Sequence, residues 1–240
     1  MPFRIVVAAA AFIAGAIASI AGFGVGSILT PLLSVETGVK IAVAAVSIPH
    51  VIGTAVRFWT LRHRVDLHVL KTFGVMSAAG GLAGALLHAY ATTSALRYVL
   101  AAILMFAGIM GLTGLSDRLR FGRGGAWIAG GVSGLLGGLI GNQGGIRAAA
   151  MLAFDVRKEA FVATATAIAL IVDGVRMPVY AINEGRSLLA IWPLIAIATI
   201  AVVIGTLLGR SILGRIPDAI FKRIVSALIL ALGLTMLFVP

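Results

Sequence analysis

Long apolar runs separated by short polar breaks dominate this sequence. Ten such segments follow one another, at about 5–21, 23–35, 39–60, 67–90, 95–116, 126–140, 144–154, 158–182, 187–210 and 219–238. At 1.5 Å per helical residue, six of them can cross a hydrocarbon core of about 30 Å: 39–60, 67–90, 95–116, 158–182, 187–210 and 219–238. The pattern therefore predicts an all-α integral membrane protein.

The other four segments form two pairs, each interrupted by glycine. Segments 23–35 and 144–154 would reach only about 17–20 Å as helices, and each follows a glycine-rich break, at 22–26 and 141–145. A cleaved signal peptide is the alternative for the first pair, but the second pair repeats the pattern deep inside the chain. We expect two broken helices.

Residue identities recur along the chain at nearly constant offsets. Shifted by 119 positions, Gly22 falls on Gly141, Gly26 on Gly145 and Arg57 on Arg176; at 125 positions, Gly80 and Gly84 fall on Gly205 and Gly209. We predict two repeats in one transmembrane domain, residues 1–119 and 120–240, each a broken segment followed by three spans.

The flanking cations favour one course for the broken segments. If each enters and returns as a re-entrant hairpin, one side of the membrane holds twelve cations: Arg62, Arg64, Lys71, Arg118, Arg120, Arg123, Arg157, Lys158, Arg210, Arg215, Lys222 and Arg223. The other side holds four: Arg4, Lys40, Arg97 and Arg186. Full crossings would divide them eight against eight, and segment 5–21 is long enough to leave that alternative open. The positive-inside rule predicts two inverted repeats, each a hairpin plus three transmembrane helices, with both termini extracytoplasmic.

Composition excludes several function classes. Hydrophobic residues make up 60% of the chain and charged residues only 11%, too few for the surface of a soluble domain. The net charge of +11 would suggest nucleic acid in a soluble protein, but membrane topology explains it and we expect no nucleic-acid partner. There is no cysteine, no Walker A motif and no HExxH motif. We expect no enzyme, no cofactor and no metal site.

Three arginines remain inside the apolar segments once the sixteen flanking cations are set aside: Arg57, Arg147 and Arg176. A charge at membrane depth is a functional hypothesis because burying it is costly. Each has a structural alternative: Arg57 snorkels to the interface, Arg176 pairs with Asp173 one helical turn earlier, and Arg147 lies at the lipid boundary or pairs with Asp155.

The hairpin tips add candidate anion ligands. A half-helix that starts at depth presents unpaired N–H groups and the positive end of its dipole, and glycine lets an anion approach closely. The candidates are Gly24, Gly26 and Ser27 in the first tip and Asn142, Gln143, Gly144 and Gly145 in the second. Glycines at small-xxx-small spacing, such as Gly80 and Gly84, serve helix packing instead. His50 and Asp173 are candidates for proton coupling, although a single intramembrane histidine is more often a hydrogen-bonded core residue.

Two glycine-rich broken helices in a duplicated chain, the first reading Gly-Phe-Gly-Val-Gly-Ser-Ile-Leu-Thr-Pro-Leu-Leu over 22–33 and the second opening at 134–145, resemble the TauE/SafE permeases. The similarity covers essentially the whole chain. It implies a secondary transporter for small sulfur-containing anions such as sulfite or organosulfonates, in a dimeric, hairpin-bearing assembly.

We therefore expect a permease of the bacterial inner membrane that moves a small anion, such as sulfite or sulfoacetate. Its midplane site is built from the two hairpin tips, with Arg57, Arg147 and Arg176 as substrate-binding residues. The alternatives are a proton-linked carrier of another small solute and a non-transporting membrane assembly subunit. The first would need more than one buried carboxylate, and the second would not need three buried arginines.

Overall fold

Every regular element in the described part of the chain is a helix. The computed structural model describes residues 2–115, 123–141, 144, 147, 151, 158–213 and 217–238. The helices are α1 (Pro2–Ala21), α2 (Val25–Leu61), a short 3-10 helix (Arg62–Arg64), α3 (Leu67–Tyr90), α4 (Thr93–Thr113), α5 (Arg123–Ile140), α6 (Lys158–Ala190), α7 (Trp192–Leu213) and α8 (Asp218–Phe238). Six stretches are long and apolar enough to cross a membrane: Pro2–Ile20, Val25–Arg64, Leu67–Tyr90, Thr93–Thr113, Ala160–Ala190 and Trp192–Gly209. The all-α membrane class is confirmed.

One predicted helix boundary is wrong. The polar stretch 183–186 was expected to separate two spans, but α6 continues through it to Ala190. Asn183 donates to the carbonyl of Val179, and Glu184 lies 3.7 Å from Lys40 Nζ. Polar residues therefore indicate where this helix leaves the apolar layer, and not where it ends.

Glycines in the left-handed region end the first arms of both predicted hairpins. Gly22 (φ 80°) follows α1 and Gly141 (φ 71°) follows α5, and the two positions are related by the offset of 119. Each N–H closes the same terminal bond, from Gly22 to the carbonyl of Ala18 at 3.0 Å and from Gly141 to that of Gly137 at 3.1 Å. A third left-handed glycine, Gly38, interrupts α2 and separates the arm 25–37 from the helix 39–61.

Glycine contacts hold α1 against α7 and α3 against α5. A Cβ built on Gly205 would lie 2.0 Å from the carbonyl oxygen of Phe12, and one on Gly80 would lie 2.1 Å from that of Gly131. Gly84 and Gly209 make equally close approaches. Because these helices touch through their backbones, the packing role expected for this glycine spacing is confirmed.

Several helix pairs have directions that follow from their contacts. Phe12 meets Gly205 and Ala16 meets Gly209, so α1 and α7 run parallel. In contrast, α4 and α8 run antiparallel, because Gly108 meets Leu230 while Gly233 meets Met105. The helix 39–61 is also antiparallel to α6, since His50 contacts Asp173 and Arg57 contacts Thr166.

Candidate functional site

The two glycine-rich tips meet inside the protein. A Cβ on Gly144 would lie 2.1 Å from Cβ of Phe23, so the side chain of Phe23 in the first tip packs directly on the second tip. The residues around the remaining space are Gly22, Phe23, Gly24, Gly26, Ser27, His50, Gly141, Gly144 and Arg147. This pocket has a volume of about 10 Å³, which is room for roughly one water molecule.

Six of the predicted site residues line this pocket: Gly24, Gly26, Ser27, His50, Gly144 and Arg147. Three more, Asn142, Gln143 and Gly145, lie outside the described residues, although their neighbours Gly141 and Gly144 border the pocket. In the described part of the chain, no cluster of three His, Asp or Glu side chains is arranged to hold a metal ion.

Arg147 is a buried cation at the pocket. Its side chain is 3% exposed, and its Nη1 donates to the carbonyl of Ala165 on α6 at 3.2 Å. A position at the lipid boundary is therefore excluded, while the alternative pair with Asp155 falls outside the described residues. The chain thus places a guanidinium, with its planar fork of donors, at the pocket between the two glycine-rich tips.

Arg57 and Arg176 do not line the pocket, but they donate to carbonyls at the ends of α1 and α5. Arg57 donates to the carbonyls of Ala18 (2.6 Å) and Gly22 (3.3 Å) at the end of α1. Arg176 donates to the carbonyl of Gly137 (2.6 Å) at the end of α5. Carbonyls at the end of a helix carry the negative end of its dipole, which a guanidinium stabilises, and the bilayer interior offers no water to do so. Arg57 is buried in this role, which excludes the alternative that it snorkels to the interface.

Asp173 joins Arg176 to the pocket. The carboxylate is fully buried, and Oδ1 accepts from Arg176 Nε (2.9 Å) and Nη2 (2.7 Å). Its Oδ2 lies 2.7 Å from Nδ1 of His50. The predicted pair one helical turn apart is confirmed. The link to His50, 123 residues away, connects this pair to the pocket lining.

Sequence reasoning missed two polar side chains at the end of α5. The hydroxyl of Tyr180 donates to the carbonyl of Gly138, and Nδ1 of His88, 2.8 Å from the carbonyl of Leu139, donates to it. Together with Arg176 they donate to three consecutive carbonyls, those of Gly137, Gly138 and Leu139. The spacing of Asp173, Arg176, Tyr180 and Glu184 along one face of α6 was a usable signal for Tyr180. No local signal indicated His88, whose partners lie on other helices.

The family model described as Sulfite exporter TauE/SafE matches residues 7–236. The chain belongs to this family. No curated protein and no solved structure matches it. As a TauE/SafE protein it is a multi-pass membrane transporter and not an enzyme, and the family implies cargo of the sulfite or sulfonate type.

Proposed function

We propose that this TauE/SafE protein is a secondary transporter that moves small sulfur oxyanions or organosulfonates, such as sulfite or sulfoacetate, across the bacterial inner membrane. The observation that carries the proposal is the meeting of two glycine-rich helix breaks around the buried Arg147. Such breaks, placed at depth, are where transporters of this general construction bind their cargo.

The charge around the pocket favours an anion. Among the described residues, the buried ionised side chains are three arginines (Arg57, Arg147 and Arg176) and one aspartate (Asp173), which leaves 3 − 1 = +2. An excess of buried positive charge is costly in a low-dielectric interior unless a counter-ion neutralises it. An anion held between the tips supplies that counter-ion.

The first tip offers backbone donors to the same anion. Gly24 is the N-cap of α2, and no side chain caps this helix start. The N–H groups of this first turn carry the positive end of the helix dipole. Gly26 and Ser27 in this turn line the pocket beside Arg147. Sulfite and sulfonate oxygens suit the combination of a guanidinium fork and backbone N–H groups.

We assign two kinds of role to the predicted site residues. Arg147, Gly24, Gly26, Ser27 and Gly144 contact the anion, and Asn142, Gln143 and Gly145, which lie outside the described residues, are proposed as ligands from the sequence alone. Arg57 and Arg176 are positioning residues, because their donors bind the carbonyls that end α1 and α5 and neither side chain lines the pocket.

We also propose that the two halves are inverted repeats and that both termini are extracytoplasmic. Helices related by the offset of 119, 39–61 and the first part of α6, run antiparallel where they touch. The pair related by the offset of 125, α4 and α8, does the same. Equivalent helices that meet in opposite directions support a two-fold axis in the membrane plane. A homodimer is proposed on family grounds.

Exchange of radiolabelled anion in liposomes tests the function without requiring net charge movement. We expect the purified protein to exchange sulfite or sulfoacetate but not chloride. Arg147→Gln should abolish exchange. Arg62→Gln, at an exposed arginine beside Trp59, is the matched control and should leave the rate unchanged. Failure to exchange either sulfur anion, or wild-type exchange by Arg147→Gln, would contradict the proposal.

A further inference from the structure

We propose that the pocket binds one proton together with its anion, at Nε2 of His50, and that this proton couples transport to the pH gradient. The inference rests on the proposed function, because it describes how the same pocket is driven. It is carried by the position of His50 between the pocket and the buried Asp173–Arg176 pair.

The contact with Asp173 defines the state of the imidazole. Asp173 is fully buried and already accepts two hydrogen bonds from Arg176, so it is present as a carboxylate. A carboxylate only accepts, and Nδ1 of His50 must therefore carry the hydrogen that it donates across 2.7 Å. In the neutral ring the lone pair is then on Nε2, which is the atom that can gain a proton.

The imidazole of His50 also lies where a proton-binding site for the pocket should be. Nδ1 is directed to α6, where Asp173 lies, and His50 at the same time borders the pocket beside Gly24, Ser27 and Arg147. Because the two nitrogens are on different edges of the ring, Nε2 is the one left for the pocket. A proton there turns His50 into a donor to an anion oxygen.

The buried charges around His50 make binding of the anion and binding of the proton favour each other. Among the described residues, the buried titratable and charged groups on the elements around His50 are Arg57 on α2, Arg147 in the second tip, and Asp173, Arg176 and Tyr180 on α6, with the ring of His88 on α3 in tilted contact with that of Tyr180. With the pocket empty, a proton on His50 would raise the buried net charge from +2 to +3. With an anion bound, the net charge that the proton meets is only +1 for a monoanion or 0 for a dianion, so protonation is opposed less. By linkage, each ligand then raises the affinity for the other.

Coupled transport requires that the anion and the proton raise each other's affinity in this way. The proton adds to the Nε2 lone pair as the anion binds, and it leaves from the same atom when the anion departs on the other side. The empty carrier returns with a neutral histidine. If the His50–Asp173 contact is purely structural, anion affinity will not follow the protonation of this ring.

Sulfoacetate is the probe for the test, because its sulfonate and carboxylate both stay ionised above about pH 5.5, whereas sulfite changes its own charge near neutrality. For the wild type we expect Kd to rise with pH by up to about tenfold per pH unit, which is the slope for one proton bound with each anion. His50→Gln retains an amide that can donate to Asp173, and it should make Kd independent of pH. His68→Gln, at an exposed histidine in the first turn of α3, should keep the wild-type slope.

A second measurement uses only the wild-type protein and so does not depend on the folding of a variant. In weakly buffered solution, binding of sulfoacetate should take up about one proton per anion bound. If sulfoacetate is not bound, sulfite is used with a correction for its own protonation. Exchange of the anion without proton uptake, or a pH slope retained in His50→Gln, overturns this proposal alone. Absence of any sulfite or sulfoacetate exchange overturns the proposed function.

Discussion

The largest loss of unfolding free energy from a single substitution is expected at Asp173. Its carboxylate accepts from Arg176 at 2.9 and 2.7 Å and from His50 at 2.7 Å in a fully buried position. Removing one partner of a buried ion pair leaves an uncompensated charge, at a cost of about 3–5 kcal/mol. We expect Asp173→Asn, and Arg176→Gln separately, to lower the free energy of unfolding by this amount.

The double variant removes both charges and should be more stable than the sum of the single losses predicts. A coupling energy of about 2 kcal/mol or more is expected from the double-mutant cycle. Unfolding free energies can be measured by steric trapping in lipid bicelles. The matched control is the Lys40–Glu184 pair, which is 3.7 Å apart and partly exposed, and which should couple by no more than about 1 kcal/mol.

Additive losses at Asp173 and Arg176, or a coupling no larger than in the control cycle, would refute this reasoning. The same double variant also separates the two roles considered for Arg176. If Arg176 only positions the end of α5, sulfite binding persists in the folded double variant. If Arg176 is a ligand of the anion, the double variant is stable but does not bind.

The remaining predictions concern the site, the packing and the topology. Arg147→Lys keeps the charge but loses the fork of donors, and it should weaken sulfite binding about tenfold. Arg147→Ala also loses a charge-assisted bond of about 1.5–3 kcal/mol and should weaken sulfite binding about a hundredfold. Both affinities can be measured by anion-induced thermal stabilisation. Gly80→Ala and Gly205→Ala place a Cβ 2.1 and 2.0 Å from facing carbonyl oxygens and should each destabilise by about 1–3 kcal/mol, while Gly185→Ala, with nothing within 4 Å, should not. A phosphatase that is active only outside the cytoplasm should be active when fused after Pro240.

Three results would count against these predictions. Wild-type sulfite affinity in Arg147→Ala would place the anion elsewhere. Equal stability of Gly80→Ala and Gly185→Ala would mean that the close approach of α3 and α5 contributes little. A fluorescent, phosphatase-inactive fusion at Pro240 would put the C-terminus in the cytoplasm and remove the inverted-hairpin topology.

Local rules account for what the sequence determined by itself. The length of the apolar runs indicated five of the six stretches that are long and apolar enough to cross a membrane, but not Pro2–Ile20. The glycines at 22 and 141 indicated where α1 and α5 end, because a left-handed residue stops a helix. The three arginines were identified from their cost in an apolar layer, and the Asp173–Arg176 pair from its spacing of three residues. All of these are properties of one segment and its solvent.

Tertiary structure decided which partners the polar groups of those segments contact. Arg57 binds carbonyls 39 and 35 residues earlier in the chain, and His50 contacts a carboxylate 123 residues later. His88 has its partner 51 residues away, and nothing near it in sequence indicated that contact. Helical spacing predicts neighbours only within one or two turns, whereas these partners lie on other helices. For His88, the glycine contacts between α3 and α5 bring the partners together. The sequence alone therefore identified the charges inside the membrane, and the packing of distant helices decided that Arg147 borders the pocket while Arg57 and Arg176 hold the helix ends.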